Sequence, residues 1–186
     1  MDDIPKVINI TGVNNRYMMK KLIINHKEEN EKKKRIVTQK WTFTKEQYEY
    51  NQQMNIINDI YNNNNNNNVE VIKITIQEIK RKISSYKQQD ILKKHWDEEN
   101  FLTIDCILKK MTECELKCRY CNCEMYVLYD ISREMKQWSV DRIDNNIGHT
   151  KNNFHLACLD CNLKRRRRTD EKFLFTKQLN IVKQDF

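Results

Sequence analysis

Two pairs of cysteines, each with two residues between its members, constrain the fold of this chain more than any other feature. Cys118 is followed by Cys121, and Cys158 is followed by Cys161. Each pair can present two thiolates from one tight turn, and two such turns complete the tetrahedral shell that a structural zinc ion requires. The sequence therefore predicts a domain in which one Zn²⁺ joins two turns that are distant along the chain.

The other cysteines have different expected roles. Cys123 is close enough to Cys121 to replace it as a ligand, Cys106 is expected to be a small buried residue of a helix, and Cys114 remains undecided. An odd total of seven cysteines, without an apolar N-terminal stretch typical of a secretion signal, favours metal binding over disulfides. We therefore expect an intracellular protein, located in the cytoplasm, the nucleus or a viral factory.

The charge of the chain indicates the class of partner. A formal net charge of +8 favours nucleic acid over an acidic membrane surface, and no stretch approaches membrane-spanning length. The alternative is that the abundant lysine only keeps the protein in solution. A hydrophobic content of 39% predicts that part of the chain is extended or disordered.

An uninterrupted run of asparagine, residues 62–68, has no packing face and poor helix propensity. We interpret it as a linker that separates a basic, helical and partly disordered region, residues 1–68, from a second domain, residues 69–186. In the first region Thr44 is expected to cap a helix that extends to about Tyr61. In the second domain, residues 69–76 fit either a strand or the start of a helix, and Thr103 is expected to cap a short helix.

The chemical core is expected within residues 117–168. Val127, Tyr129 and Ile131 alternate as in a strand, and residues 138–141 and 154–157 predict two more strands around a turn at 145–148. A helix is expected to start at Asp160 or Cys161. The predicted order is therefore cysteine turn, strand, loop, strand, cysteine turn, helix.

Residues 138–145, 148–153 and 158–164 together resemble the HNH, or ββα-metal, endonuclease family. The resemblance is greatest to a zinc-stapled branch of small nucleases found among large DNA viruses and phages, and it covers roughly residues 85–170. It implies an α+β fold with a ββα-metal core stapled by the four cysteines. It also implies metal-dependent hydrolysis of DNA that leaves 5′-phosphate and 3′-hydroxyl ends.

The resemblance assigns roles to individual residues. Asp141 and Asn162 would hold a catalytic Mg²⁺ or Mn²⁺, to which hard oxygen donors are suited, and Asn153 would fix the loop between the strands. The family has its general-base histidine directly after the metal-binding aspartate, where this chain has Arg142. Arginine cannot accept a proton near neutral pH, although it can hold a phosphate or stabilise charge in the transition state.

Another group must therefore accept the proton if the protein is an enzyme. His149 is the first candidate for this role. The alternative is that His149 is simply an exposed histidine of the loop. His155 is expected to have a packing role, and Asp144 is expected to pair with Arg142 or to tie the loop. Bulk water is the remaining acceptor.

A basic run follows the second cysteine pair and begins two residues after Asn162. We expect it to contact phosphates, although it also resembles a nuclear-localisation patch; its members are Lys164, Arg165, Arg166, Arg167 and Arg168. The rival to a DNA endonuclease is a zinc-stapled DNA-binding module that has lost catalysis, for which Arg142 argues. An RNA-binding zinc module is a third interpretation.

Overall fold

The computed structural model of this protein describes residues 33–64 and 68–179. The chain divides into two compact units, residues 1–33 and residues 34–186. The predicted disorder near the start of the chain concerns residues outside the described ones. All the elements below belong to the second unit.

Five α-helices and one two-stranded sheet make up the described regular structure, together with two short 3₁₀ helices, so the predicted mixed α+β class is confirmed. The 3₁₀ helices span Ile36–Lys40 and Lys45–Tyr48. The α-helices are α1 (Tyr50–Asn62), α2 (Val69–Lys93), α3 (Ile104–Glu113), α4 (Leu159–Arg165) and α5 (Asp170–Gln178). The strands are β1 (Trp138–Arg142) and β2 (Phe154–Cys158).

The two strands form an antiparallel hairpin that leads directly into α4. Trp138 pairs with Cys158 and Arg142 pairs with Phe154, so the open end of the hairpin lies at the second cysteine pair. The Cys158 side chain caps α4 by accepting a hydrogen bond from the Cys161 amide. Both strands are confirmed, each one residue longer than predicted, and α4 begins one residue earlier than expected.

The ambiguous segment after the asparagine run is helical. Asn68 caps α2 through its side chain, which accepts a hydrogen bond from the Glu70 amide at 2.8 Å. Val71, Thr75 and Ile79 are buried four residues apart, so one face of α2 packs inward along its length. The helix ends where Lys94 adopts a left-handed conformation with φ of 59°.

The compact unit begins at Lys34, which corrects the predicted boundary at residue 68. Helix α1 packs against α3, and Ile57 is fully buried in the core that contains Trp138. Because Asn62 ends α1 and Asn68 caps α2, the composition of the run did not show that both helices belong to one compact unit. The cap predicted at Thr44 belongs to the second 3₁₀ helix, and α1 starts only at Tyr50.

One predicted strand is absent, since the residues around Val127 form none. Their backbone groups bond to a side chain of α1 instead. The Gln53 carboxamide accepts hydrogen bonds from the Val127 and Leu128 amides at 2.7 and 2.8 Å, and it donates one to the Leu128 carbonyl at 3.0 Å. A buried glutamine thus replaces the neighbouring strand that the alternation had suggested.

The main core lies between the helices and the hairpin. It draws a buried side chain from most elements, including Ile57, Ile79, Ile107, Trp138 and Phe173. The prediction that Thr103 caps α3 is confirmed, because its side chain accepts a hydrogen bond from the Cys106 amide at 3.3 Å. None of the helices in the described part of the chain is both long and apolar enough to cross a membrane.

Candidate metal centre and adjoining cleft

The four predicted cysteines meet at one point. The Sγ atoms of Cys118, Cys121, Cys158 and Cys161 all lie within 4.8 Å of one another. Three of these residues are buried and Cys121 is exposed. Within residues 33–64 and 68–179, these four cysteines are the one group of three or more cysteine, histidine or acidic side chains that lie close enough to share a metal ion.

The cluster passes a chemical test for zinc. Tetrahedral Zn²⁺ with bonds of about 2.3 Å places its sulfur ligands about 3.8 Å apart, and Cys121 Sγ lies 3.8 Å from Cys158 Sγ. The hydrogen bond between Cys118 and Cys158 lowers the pKa of the Cys118 thiol and raises that of the Cys158 thiol, so these shifts do not decide the matter. The grouping of four thiols at this spacing confirms a site able to hold a metal ion such as structural zinc.

The remaining cysteines lie outside this group. Cys123 is adjacent to the cluster but is not one of its four members, which decides the alternative in favour of Cys121. Cys106 is not a buried apolar residue: its half-buried thiol accepts a hydrogen bond from the Thr103 amide at 3.2 Å and completes the cap of α3. The Cys114 thiol is also half-buried, and burial raises its pKa.

A cleft of about 430 Å³ opens between the hairpin, α4 and the end of α2. We call it the central cleft. It brings together four residues predicted to act in catalysis, one predicted to contact phosphate and one that was not predicted. They are Asp141, Arg142, His149 and Asn162, then Arg166, then Tyr86.

His149 is a buried and firmly held residue of the central cleft, not an exposed loop histidine. Only 4% of its surface is exposed, and its ring stacks on Tyr86 with the centroids 4.7 Å apart. Its Nδ1 lies 2.7 Å from Asp90 Oδ1, and its backbone amide donates to Asp90 Oδ2 at 2.6 Å. With Nδ1 engaged by Asp90, Nε2 is the ring nitrogen available to a group in the cleft.

The environment of His149 keeps its ring neutral. Burial lowers the pKa of the imidazole below its ordinary 6.5, whereas the Asp90 carboxylate raises it, and the charges of Arg142 and Lys93 lower it further. Burial is the largest of these effects. A neutral imidazole oriented by a carboxylate can accept a proton at physiological pH.

The loop before His149 is held at both ends. Gly148 has no room for a side chain, because a Cβ there would lie 2.3 Å from the His95 carbonyl oxygen and 2.9 Å from Asp90 Oδ2. Asn153 accepts a hydrogen bond from the Asp144 amide at 2.8 Å, and donates to the carbonyls of Asp144 at 2.9 Å and Gly148 at 3.0 Å. Asn153 therefore fixes the loop, as predicted, and so positions His149.

Asp141 is buried in a network of its own. Its Oδ2 accepts a hydrogen bond from the Tyr120 hydroxyl at 2.5 Å and lies 3.2 Å from Arg165 Nε, while Oδ1 lies 3.4 Å from Arg165 Nη1. Burial raises the pKa of the carboxyl, and the Tyr120 hydrogen bond and the Arg165 charge oppose that rise. Both oxygens of the predicted metal ligand thus have partners within the protein.

Asn162 and Arg142, which were predicted to act beside Asp141, line the central cleft, and each has hydrogen-bonding groups without a partner in the described part of the protein. Asn162 donates from Nδ2 to Ser139 Oγ at 3.1 Å and to the Val140 carbonyl at 3.0 Å, so its carbonyl oxygen is left for a ligand. Arg142 donates from Nη1 to the Ile147 carbonyl at 3.0 Å, and its remaining guanidinium donors can meet an anion.

Asp144 ties the loop, which is one of its two expected roles, and His155 lies outside the central cleft. Asp144 is exposed and accepts a hydrogen bond from the Asn146 amide at 2.8 Å, which closes a turn of the loop. His155 lines other cavities than the central cleft, with Nε2 3.4 Å from Asp170 Oδ2. Burial lowers its pKa, and the nearby charge of Arg119 acts in the same direction.

The basic run does not act as one surface. Arg165 is only 1% exposed and donates to the carbonyls of Arg142 and Ile143 as well as to Asp141, so the prediction that it contacts phosphate is wrong. Lys164 lies outside the central cleft and pairs with Asp160 at 2.7 Å.

The last three arginines of the run are exposed and line a second, larger cleft. We call it the cationic cleft. Its volume is about 900 Å³, and it shares Lys93, Arg142 and Arg166 with the central cleft. Asp144, Asp170 and Glu171 also line it, but its five cationic residues outnumber these acids; they are Lys93, Arg142, Arg166, Arg167 and Arg168.

Sequence reasoning missed three residues that organise the site, Tyr86, Asp90 and Tyr120. Asp90 lies on the buried face of α2, four residues after Tyr86, so its burial could have been anticipated from the helical period. Its pairing with His149, 59 residues away in sequence, could not. Tyr120 lies between the first two zinc ligands, where nothing marks it as a partner of Asp141.

Comparison with known proteins does not extend these observations. No protein-family model matches the chain, and neither the curated proteins nor the solved structures include one that matches it.

Proposed function

We propose that this protein is a metal-dependent endonuclease of the HNH type that hydrolyses phosphodiester bonds in DNA. The observation that carries the proposal is the pairing of His149 with Asp90 inside the central cleft, beside Arg142 and Asn162. This pairing supplies a base in a chain that has an arginine where the HNH family has its histidine.

In the proposed reaction His149 Nε2 accepts a proton from the attacking water. Asp90 holds the imidazole in the tautomer that has its proton on Nδ1, and Tyr86 fixes the plane of the ring. Because burial lowers the pKa of His149, the ring is ready to act as a base at neutral pH. Arg142 contacts the phosphate from the adjoining wall and offsets its developing charge.

A divalent Mg²⁺ or Mn²⁺ ion would be held by oxygens of Asp141 and Asn162. When bound, such an ion stabilises the charge on the phosphate and on the departing 3′ oxygen. The fit is partial, since the Asn162 carbonyl oxygen is free whereas the Asp141 carboxylate is paired with Arg165. Arg165 must therefore give up part of its contact with Asp141 for the ion to bind.

The cationic cleft supports nucleic acid as the substrate. It continues from the central cleft through four shared residues, of which Lys93, Arg142 and Arg166 are cationic. A strand bound at the central cleft can extend along it and neutralise its charge, which favours a polyanion over a small phosphate ester.

The test is nicking of a supercoiled plasmid by the pure protein with Mg²⁺ or Mn²⁺. We expect wild type to nick, Asp141→Ala to be inactive, and His149→Gln to lose at least about tenfold in rate. His155→Gln is the matched control, because His155 also has an aspartate partner but lies outside the central cleft. Zinc content and thermal midpoint show that each variant is folded, which matters because Asp141→Ala leaves the buried Arg165 charge without its carboxylate partner.

The second candidate is a zinc-stapled DNA-binding module without catalysis. The buried network of Asp141, Tyr120 and Arg165 favours it, since an internal arginine there takes the place of a metal ion. On this alternative His149→Gln changes nothing, and Arg142→His restores cleavage. If neither wild type nor Arg142→His nicks DNA with any divalent ion, the nuclease proposal is refuted and binding is the function. Preferential binding of RNA would point to the third interpretation.

A further inference from the structure

Helix α2 carries a regular row of lysines on its solvent side. Lys73, Lys80 and Lys87 recur at every seventh residue, and all three are exposed. Seven residues make about two turns of an α-helix, so these side chains lie on one face. We call them the lysine row. From its first to its last member the row extends about 21 Å, at about 1.5 Å per residue.

The acidic residues in the body of α2 are turned away from this row. Glu78 is buried and paired with Arg35 at 2.6 Å and with Arg81 at 2.8 Å. Asp90 is buried against His149. Within the described residues no lysine of the row forms an ion pair, and Lys87 instead lies over the Trp96 ring at 4.5 Å.

This sorting of charge differs from that of an ordinary solvated helix. Exposed helices usually mix acids and bases, since pairs of opposite charge three or four residues apart stabilise the helix. In α2 the acidic residues after the first turn are buried and paired inside the protein. The charges of the lysine row are therefore not neutralised by acids of the same helix. The resulting field of one sign attracts a polyanion that can follow a straight line about 21 Å long.

We propose that the lysine row binds the phosphate backbone of double-stranded DNA. A length of about 21 Å corresponds to about six base pairs at 3.4 Å each. Duplex DNA is stiff over such a length, with a persistence length of about 150 base pairs, and so matches a rigid helix better than a flexible single strand does. The proposal rests on the proposed function in taking DNA as the substrate.

The test compares two triple variants of the full chain. The row variant carries Lys73→Gln, Lys80→Gln and Lys87→Gln. The control variant carries Lys40→Gln, Lys45→Gln and Lys136→Gln, which remove the same charge from exposed sites on other elements. Lys136 is matched to Lys87, since it lies near an aromatic ring, that of Tyr126, at 5.9 Å.

Affinity for a duplex of about two helical turns is measured by fluorescence anisotropy over a range of salt concentrations. Three lost phosphate contacts should flatten the slope of log affinity against log salt by about 2.7, at about 0.9 per contact. The control variant should keep the wild-type slope. Equal slopes for the two variants on this duplex would overturn the proposal, as would tighter wild-type binding to single-stranded DNA or to duplex RNA.

This result is separable from the test of activity. A wild-type protein that does not nick plasmid, but whose row variant shows the flatter slope, supports the lysine row and refutes the nuclease. A protein that nicks plasmid with an unchanged slope supports the nuclease and refutes the row. Circular dichroism and zinc content confirm that both triple variants are folded before either comparison is made.

Discussion

Replacing Asp90 by asparagine tests the pairing on which the proposed chemistry depends. The Asp90 carboxylate accepts two hydrogen bonds in a buried place, from the His149 amide at 2.6 Å and from His149 Nδ1 at 2.7 Å. Asparagine has nearly the same shape but offers one acceptor and one donor. If its oxygen keeps the bond from the amide, its nitrogen must face Nδ1.

The consequence is a change of tautomer. Nδ1 can meet a donor only as an acceptor, so the proton of His149 moves to Nε2 and the base is lost from the cleft. We expect the nicking rate of Asp90→Asn to fall by about a hundredfold to ten-thousandfold, the usual contribution of a general base. Asp90→Ala differs, because it leaves two buried donors unpaired at about 1–3 kcal/mol each. Its thermal midpoint should fall by several degrees, at about 2–4 °C per kcal/mol.

Two measurements separate these effects. NMR of the imidazole nitrogens should show His149 protonated at Nδ1 in wild type and at Nε2 in Asp90→Asn. Plasmid nicking then reports the consequence for activity, and Asp105→Asn, at an exposed position of α3, controls for the loss of one charge. A wild-type nicking rate together with the switched tautomer would refute the role of His149 as the base. An unchanged tautomer would refute the pairing itself.

Three further predictions concern the metal site, the buried ion pair and pH. Cys158→Ser should abolish zinc binding and unfold the domain or greatly lower its thermal midpoint, since structural zinc contributes about 10–16 kcal/mol to folding. Arg165→Met should cost about 3–5 kcal/mol of stability, because it leaves the Asp141 carboxylate buried without its partner. Stability should fall as the pH drops below 6.5: burial lowers the pKa of His149 and His155 in the folded state, so the unfolded chain binds protons first.

Each of these has a specific control or contrary outcome. Cys123→Ser should retain zinc by elemental analysis, because Cys123 is not among the four clustered thiols. Arg167→Met should leave the denaturation midpoint unchanged, since Arg167 is exposed. Melting curves of the double variant His149→Gln and His155→Gln should depend less on pH than those of wild type between pH 6.5 and the acid transition; an identical dependence would contradict the assignment.

Local patterns predicted the parts of the fold that local physics determines. The cap at Thr103, the two strands and the helix after the second cysteine pair all depend on residues a few positions apart, and all were predicted to within a residue or two. The cysteine cluster was also predictable although its halves are distant, because the ligand requirements of one metal ion link them.

The errors arose where a distant residue decided the outcome. Val127 and its neighbours alternate like a strand, yet Gln53 of α1 satisfies their backbone and no strand forms. The asparagine run resembled a linker because its composition lacks a packing face, yet it joins two helices of one unit. The residues next to Gln53 and next to the asparagine run contain no sequence pattern that indicates either outcome.

In the candidate site, Arg165 shows why the sequence did not indicate which basic residues are free to contact phosphate. It belongs to a run of five basic residues that composition treats as equivalent, but only α4 and its end decide where each side chain points. Arg165 is the last residue of α4 and faces the hairpin, whereas Arg166 has φ of 54° and turns the chain outward. A single turn of backbone therefore separates an internal partner of Asp141 from the arginines of the cationic cleft. In α2, by contrast, the acids after the first turn face the interior and the lysine row is exposed, so the row is the surface proposed for duplex binding.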